Sequence, residues 1–508
     1  MPDVASPPID RILVKEVRVL GSKAFSATDL EFLLKNLIGG EHTLAELDTA
    51  VSLITTWYRD RGFTIARAYL PTQEIKDGVL MIGVLEGLVG ERTTLNRSEL
   101  LPPQMNQFLG NIVVGEAVQA RTIDRALLVL ADTPGVGGAR ASLQPGASVG
   151  TSDLLIELDR GVPYSAILEA DNFGNRYTGE YRLGASLAVN SPLNRGDQLT
   201  VRVLQSDQNM TYARSSYQVP LGGDGLRAGV AYFATRYRLA QEYSPTPAHG
   251  LATGASVFAT YPFIRSQAAN LFGTLTAEQK NFRDEFGIHS LRLDKQINLM
   301  NLGLAGSFQD TLWGGGSASA EISLISGSLS MDATSLNFDE ATGSANTAGT
   351  FSKLGYNLER QQRLSETDTI LLQLSGQIAN KNLNSSEKFS LGGANGVRAY
   401  PQGEASGDEG WMLKLEYRRA LAPWLQGIAF YDAGFVTINR NAYLLNADKS
   451  LADNTRALAG GGLGFRAQYK SMQFNAAVAW QIQGGTAQAE PASGTRNPRF
   501  WVQMSGSF

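Results

Sequence analysis

Two residues carry the chemistry of this chain most plainly, and they lie far apart in sequence. Arg398 is a lone cation among packing residues in Gly396-Val397-Arg398-Ala399-Tyr400-Pro401-Gln402-Gly403. Asp432 interrupts a strand-like apolar run, Phe430-Tyr431-Asp432-Ala433-Gly434. An acid in such a place is tolerated when it faces away from lipid and meets a cation, and Arg398 is the candidate partner. The expected chemistry is therefore an ion pair that seats one segment on another.

Other constellations carry weaker expectations. Gly146-Ala147-Ser148-Val149-Gly150 has the spacing of a hydrolase nucleophile elbow, which requires a strand before it and a helix after it. Asp153 to Asp159 reads as a strand, so a turn is expected there instead. His42, His249 and His289 show no metal-ligand spacing and are expected as ordinary surface or loop residues, with no metal and no cofactor. Glu404, Asp408 and Glu409 are expected to be solvated or engaged with arginines. Gly460-Gly461-Gly462-Leu463-Gly464 precedes no helix and is no nucleotide fingerprint; small residues on a crowded strand face explain it. No catalytic set emerges.

The elements that must position Arg398 are two alternating segments, Thr369 to Ala379 and Trp411 to Arg419, joined by a connection of uncommon length at about 380–410. Val397, Tyr400 and Trp411 are packing residues, so this connection is expected to fold back onto something. From Gly161 onward period two prevails. Tyr181, Leu183, Ala185, Leu187 and Val189 alternate with Arg182, Gly184, Ser186 and Asn190, and similar splits recur at Lys353–Glu359, Trp411–Arg419 and Gln473–Ile482. A soluble sandwich also alternates, but charges of both signs on the polar faces suit a wet lumen better. Residues 161–508, divided among strands of ~9 to 11 residues plus turns, give roughly 16 strands. The last segment, Phe500 to Phe508, alternates to its end and resembles the C-terminal strand of bacterial outer-membrane barrels.

The first 160 residues read differently. A strand is expected over Arg11–Gly21, followed by helices signalled by two capping boxes, Thr28-Asp29-Leu30-Glu31 and Thr43-Leu44-Ala45-Glu46. The second helix places Leu44, Leu47, Val51, Ile54 and Tyr58 on one face. Strands near Ala66–Pro71 and Val79–Glu86 close the unit, and the pattern recurs: a strand at Val89–Leu95, helices at Leu101–Leu109 and Thr122–Ala131, strands at Ala139–Gln144 and Asp153–Asp159. Leu80 to Gly87 and Leu154 to Gly161 resemble each other directly. Small mixed sheets of this kind leave edges that can accept an extended peptide; the alternative is that the two units are mere spacers.

Composition narrows the classes further. A net charge of -4 with 18% charged residues gives no case for a nucleic-acid partner. No run approaches the ~18 apolar residues of a membrane-spanning helix, which leaves a transmembrane barrel open. The chain has no cysteine, which fits an oxidising compartment.

Two repeat units before a barrel, a Val397-Arg398-x-Tyr400 loop and a Phe430-x-Asp432-x-Gly434 strand together resemble the outer-membrane transporters of two-partner secretion, within the superfamily of barrels that carry POTRA domains. The stretch from Asp171 to Gly179 and from Asn190 to Asp197 is similar to that family's opening barrel hairpin. The resemblance implies a membrane all-β barrel of about 16 antiparallel strands preceded by two small α+β POTRA domains. The expected division is an N-terminal extension at 1–10, POTRA domains at 11–88 and 89–160, and a barrel at 161–508 with an inward loop at about 380–410. It implies that Arg398 pairs with Asp432 on the lumen wall, that Val397 and Tyr400 pack the loop tip, and that Phe430 and Gly434 shape its seat. Ala399 replaces the motif's usual glycine and disfavours positive φ, so a differently bent tip is expected. Many members carry a plug helix and a linker before the first POTRA domain, whereas here the first strand is expected to start near Arg11, so either the plug has been removed or this protein does without one.

The resulting expectation is a monomeric, non-enzymatic translocator in the bacterial outer membrane with its POTRA domains in the periplasm. It would pass an unfolded exoprotein, whether adhesin, haemolysin or contact-dependent toxin, with outer-membrane lipid around it. One rival is a barrel-assembly or insertase protein of the same superfamily, against which two repeats rather than a longer array count. The other is a passive porin or receptor, which needs no docking domains.

Overall fold

The computed structural model describes residues 11–208, 210–240, 248–287, 291–341, 344–443, 454–491 and 494–508. The expected extension at 1–10 and His289 lie outside the described residues. The chain divides into two units, Met1–Gly161 and Val162–Phe508.

In the first unit the expected strand at 11–21 is broken in two. β1 (Ile12–Val14) and β2 (Glu16–Leu20) are separated at Lys15, whose backbone N–H donates to the Gly78 carbonyl. α1 (Ala27–Leu33) starts earlier than its expected capping box: Ser26, not Thr28, is the N-cap and accepts from the Asp29 N–H. β3 (Gly40–His42), which the sequence did not signal, pairs antiparallel with β1. α2 (Leu44–Asp60) has the full Thr43/Glu46 capping box, and it buries Leu47, Val51, Ile54 and Tyr58. Leu44 is the exception on that face: it lies in the first turn, where it is exposed. β4 (Arg67–Tyr69) and β5 (Val79–Leu85) complete a sheet of order β2-β5-β4, with β2 and β5 parallel. Beneath it, Tyr58 donates towards Glu86, which also accepts from the Lys23 and Ala24 N–H groups. Burial and this carboxylate push the Tyr58 phenol up, which keeps it a neutral donor.

The same topology returns in β6 (Leu88–Asn96), α3 (Pro102–Phe108), α4 (Ala120–Ala131), β7 (Val136–Pro145) and β8 (Thr151–Arg160), with sheet order β6-β8-β7 and β6 parallel to β8. The two similar sequence segments are thus the two central strands, β5 and β8, each with a neighbour on both sides. Gly146 to Gly150 forms the turn between β7 and β8, so no nucleophile elbow exists there.

The second unit is a closed antiparallel barrel of sixteen strands. It begins with β9 (Tyr164–Asp171), β10 (Arg182–Asn190), β11 (Gln198–Ser206), β12 (Thr211–Pro220) and β13 (Arg227–Arg238). Four long strands follow, β14 (Ala248–Arg265), β15 (Ala269–Phe286), β16 (Leu291–Asp310) and β17 (Gly316–Met331), and a short helix α5 (Ala333–Asp339) precedes β18 (Gly349–Arg363) and β19 (Asp368–Ala379). A small hairpin of β20 (Phe389–Ser390) and β21 (Ser406–Gly407) lies within the long connection. The ring is completed by β22 (Glu409–Ala422), β23 (Leu425–Thr437), β24 (Thr455–Tyr469), β25 (Met472–Gln483) and β26 (Arg499–Ser507). β26 pairs with β9 over Gln503–Ser507 and Ile167–Asp171, and the loss of free edges makes the cylinder viable in lipid.

Outward positions are apolar and exposed, as Leu183, Leu187, Leu302, Leu354, Leu415 and Trp480 show. Inward positions hold paired charges, such as Arg182 with Asp171 at 2.8 Å and Arg202 with Glu169 at 2.5 Å. His42 and His249 stand in β3 and β14, where each pairs in a ladder, and His249 is a surface residue as expected.

Candidate functional site

The connection from β19 to β22 folds into the barrel and seats its tip on β22, β23 and β24. Alternation along β22 points Trp411, Leu415 and Tyr417 outward and leaves Met412, Lys414, Glu416 and Arg418 for the lumen. Lys414 faces Asp432 across the β22–β23 ladder, and Glu416 faces Phe430, so two carboxylates and one ring share a patch of inner wall.

Arg398 lies on this patch. Its Nε and Nη2 each donate 2.7 Å bonds to the two oxygens of Asp432, and its backbone N–H adds a third at 3.1 Å. Nη1 reaches Glu416 at 2.7 Å, and the guanidinium carbon lies 3.5 Å from the Phe430 ring centroid. Asp432 is fully buried and Arg398 nearly so. Planar, forked donors matched to two acids make this a site that lysine could not reproduce. Glu416, which the sequence reading missed, is also held by Arg418 at 2.6 Å. Its signal was present as the polar phase of a strand already assigned, but parity does not reveal a diagonal neighbour until register is known.

The remaining expected residues gather here. Val397 and Tyr400 are fully buried in a cluster with Leu391, Phe430, Val436 and Leu458. The Tyr400 hydroxyl lies 2.8 Å from the Gln483 carbonyl and 3.0 Å from that of Gly485. Gly434 is required by close approach: a Cβ there would stand 2.6 Å from Leu391 Cδ2 and 2.8 Å from the Trp411 carbonyl. Ala399 takes no positive φ; in this loop the non-glycine residue that does is Ala405, at 54°. The Ala399 methyl instead fills the space above Gly460, which is why β24 carries a glycine at that point. Trp501 of β26 also closes on the tip, its indole N–H donating to the Arg398 carbonyl at 2.7 Å.

The three loop acids are clasped rather than solvated. Glu404 is buried, binds Arg456 at 3.0 Å and accepts from the Gln488 and Ala489 N–H groups. Asp408, fully buried, meets a lysine, Lys388, at 3.0 Å, and accepts from the Leu383 and Arg440 N–H groups. Glu409 pairs with Arg440 at 3.2 Å. Among the described residues no group of three His, Asp or Glu side chains is placed to hold a metal ion.

Residues 150–467 match the family described as haemolysin secretion/activation protein ShlB/FhaC/HecB, and residues 12–87 match the ShlB-type POTRA domain. Among curated relatives, a heme/hemopexin transporter protein, HuxB, of Haemophilus influenzae (strain 86-028NP) is 29% identical over 94% of this chain and 84% of its own length. An outer membrane transporter, CdiB, of Dickeya dadantii (strain 3937) is 24% identical over 92% of this chain and 82% of its own. The solved structure of CdiB from Escherichia coli superposes with a TM-score of 0.80, covering 100% of this chain and 93% of that one; at 17% identity it shares the fold.

Proposed function

The chain belongs to the haemolysin secretion/activation protein ShlB/FhaC/HecB family and is an outer-membrane transporter of the two-partner secretion type; from that premise we propose how its two units divide the work. Residues 11–88 and 89–160 act as a pair of POTRA domains, and residues 161–508 as the channel. An unfolded secreted protein docks on the POTRA pair by adding a strand to an open edge. β7, ten residues long and at the margin of its sheet, offers a longer edge than the three residues of β4. The substrate then passes through the lumen as the 380–410 loop shifts.

The observation that carries this reading is the seating of Arg398 on Asp432 and Glu416 inside a charged lumen, since it anchors the loop tip to one wall while charged contacts hold the rest of the loop. Transport is non-enzymatic and needs no cofactor, the energy coming from folding of the exoprotein outside. The barrel works as a monomer in outer-membrane lipid. The names of relatives make a heme- or hemopexin-binding exoprotein one cargo class, beside adhesins, haemolysins and contact-dependent toxins.

Secretion of the partner by Arg398→Ala and Asp432→Ala tests the reading. Each strands its opposite charge in a buried site, a loss of ~3–5 kcal/mol in the seated state. Output should fall sharply in both, with barrel assembly retained by gel mobility. Parental output from both variants would remove the seat from the mechanism.

A further inference from the structure

The loop touches more than its seat. Before the tip, Glu387 is buried between two lysines of another part of the wall: Lys280 of β15 at 2.9 Å and Lys353 of β18 at 3.0 Å. Beyond the tip, Glu404 holds Arg456 of β24. The ring order β15-β16-β17-β18-β19-β22-β23-β24 puts β24 seven steps from β15 and four from β18 among sixteen, so the loop spans from one wall to another. The inward loop is a strut across the lumen, fastened at both ends.

The two fastenings differ in kind. At the tip, a guanidinium forks onto two acids, lies on a ring, and is surrounded by the apolar cluster of Leu391, Val397, Tyr400 and Leu458. At Glu387, the carboxylate is held by ammonium ions, compact and strongly hydrated point charges on flexible stems, and the carbonyl accepts from Lys353 at 2.8 Å and from Gln377 of β19 at 3.0 Å. The Lys280 side chain retains 20% of its exposure, and Glu278 on the same strand already lies 3.6 Å from it. Lys280 therefore has a second acceptor ready when Glu387 leaves. Upstream, Leu383 is packed against Ile297, Leu329 and Phe351, and Asn382 is bonded to the Ala345 and Asn441 backbone, which fixes a pivot close to the clasp.

We infer that Glu387, Lys280 and Lys353 form the releasable clasp of the strut. The segment around Glu387 swings off β15 and β18 about Leu383 and opens the lumen along that wall, while Arg398 stays seated. Glu387 is thus a positioning residue for transport. This rests on the proposal that the loop shifts during passage, and it names the end that moves.

The absence of cysteine allows a direct test. Cysteines placed by Lys280→Cys and Glu387→Cys in the full chain are joined, in assembled outer membranes, by a short reducible bis-thiosulfonate. Secretion by the bridged protein should be lost and should recover when the bridge is cleaved in the same sample; equal output before and after cleavage would overturn the clasp. A second measurement avoids the crosslinker. In planar lipid bilayers Glu387→Gln should raise channel open time several-fold, Lys280→Gln should do likewise, and combining them should add little; parental open times in all three would also overturn it. Docking is read separately, by binding of a secretion-signal fragment of the partner to the full-length bridged chain. A fragment bound but not exported supports the clasp. A fragment that fails to bind even the parent defeats the docking proposal, while the open times still decide the clasp.

Discussion

The N-terminal unit and the barrel use leucine, valine and isoleucine in opposite directions. In α2, Leu47 and Ile54 are fully buried and the solvent side is largely polar; in β16, Leu302 and Leu304 face outward and the polar Asn301, Ser307 and Gln309 face inward. The same apolar side chains therefore stabilise the first unit by leaving water and the second by entering lipid. A hydropathy pattern thus records which medium lies on each side of an element, not simply where a core is. The inward loop is the point where the barrel departs from its own rule, because around Val397 and Tyr400 it builds a small water-excluding core inside the cylinder.

Substitutions in the two units should respond in opposite ways. The largest effect is expected for Ile54→Ala, which should cost ~2–5 kcal/mol in the N-terminal unit. The outward Leu302→Ala should change barrel stability far less, since lipid tails fill the vacated space; chemical denaturation of the full chain, followed by probes in each unit, separates the two. Introducing charge should reverse the order. Leu304→Arg, on the lipid face, should cost ~2–4 kcal/mol and reduce assembled barrel in membranes. Leu53→Arg on the exposed side of α2 should stay within about ±0.5 kcal/mol by thermal melting.

Smaller effects sharpen the first unit alone. Thr43→Ala removes one half of the capping box and should lower stability by ~1 kcal/mol, read as a shift in the denaturation midpoint. The other half carries a pH signature. The Thr43 backbone N–H holds the Glu46 carboxyl below its usual range, so Glu46 contributes stability above its unfolded pKa and loses it as pH falls through the folded value. The melting difference between parent and Glu46→Gln should accordingly shrink between about pH 5 and about pH 3. A difference that grew on acidification would contradict the assignment.

Much of the architecture was legible because periodicity is local. Strict alternation from Glu180 to Asn190 and from Gln473 to Ile482 fixed which side chains face lipid, and the spacing of Leu47, Val51, Ile54 and Tyr58 fixed the buried face of α2. Boundaries were less legible: Ser26 displaced Thr28 as the cap, and the break at Lys15 follows from a bond to Gly78 that no local pattern announces. Arg398 and Asp432 could be paired from sequence because each is the odd charge in an apolar setting.

Residue order alone thus determined a two-part molecule and the outward faces of the strands, since both depend on neighbours a few residues away, and it marked Arg398 and Asp432 as the odd charges in their apolar settings. Only the closed ring decided that Glu416 and Trp501 join that pair, that Ala399 rests on Gly460, and that Glu387 reaches Lys280 and Lys353. Those contacts depend on strand register and on how far around a cylinder two strands fall, and closure sets both by bringing together residues that are remote along the chain.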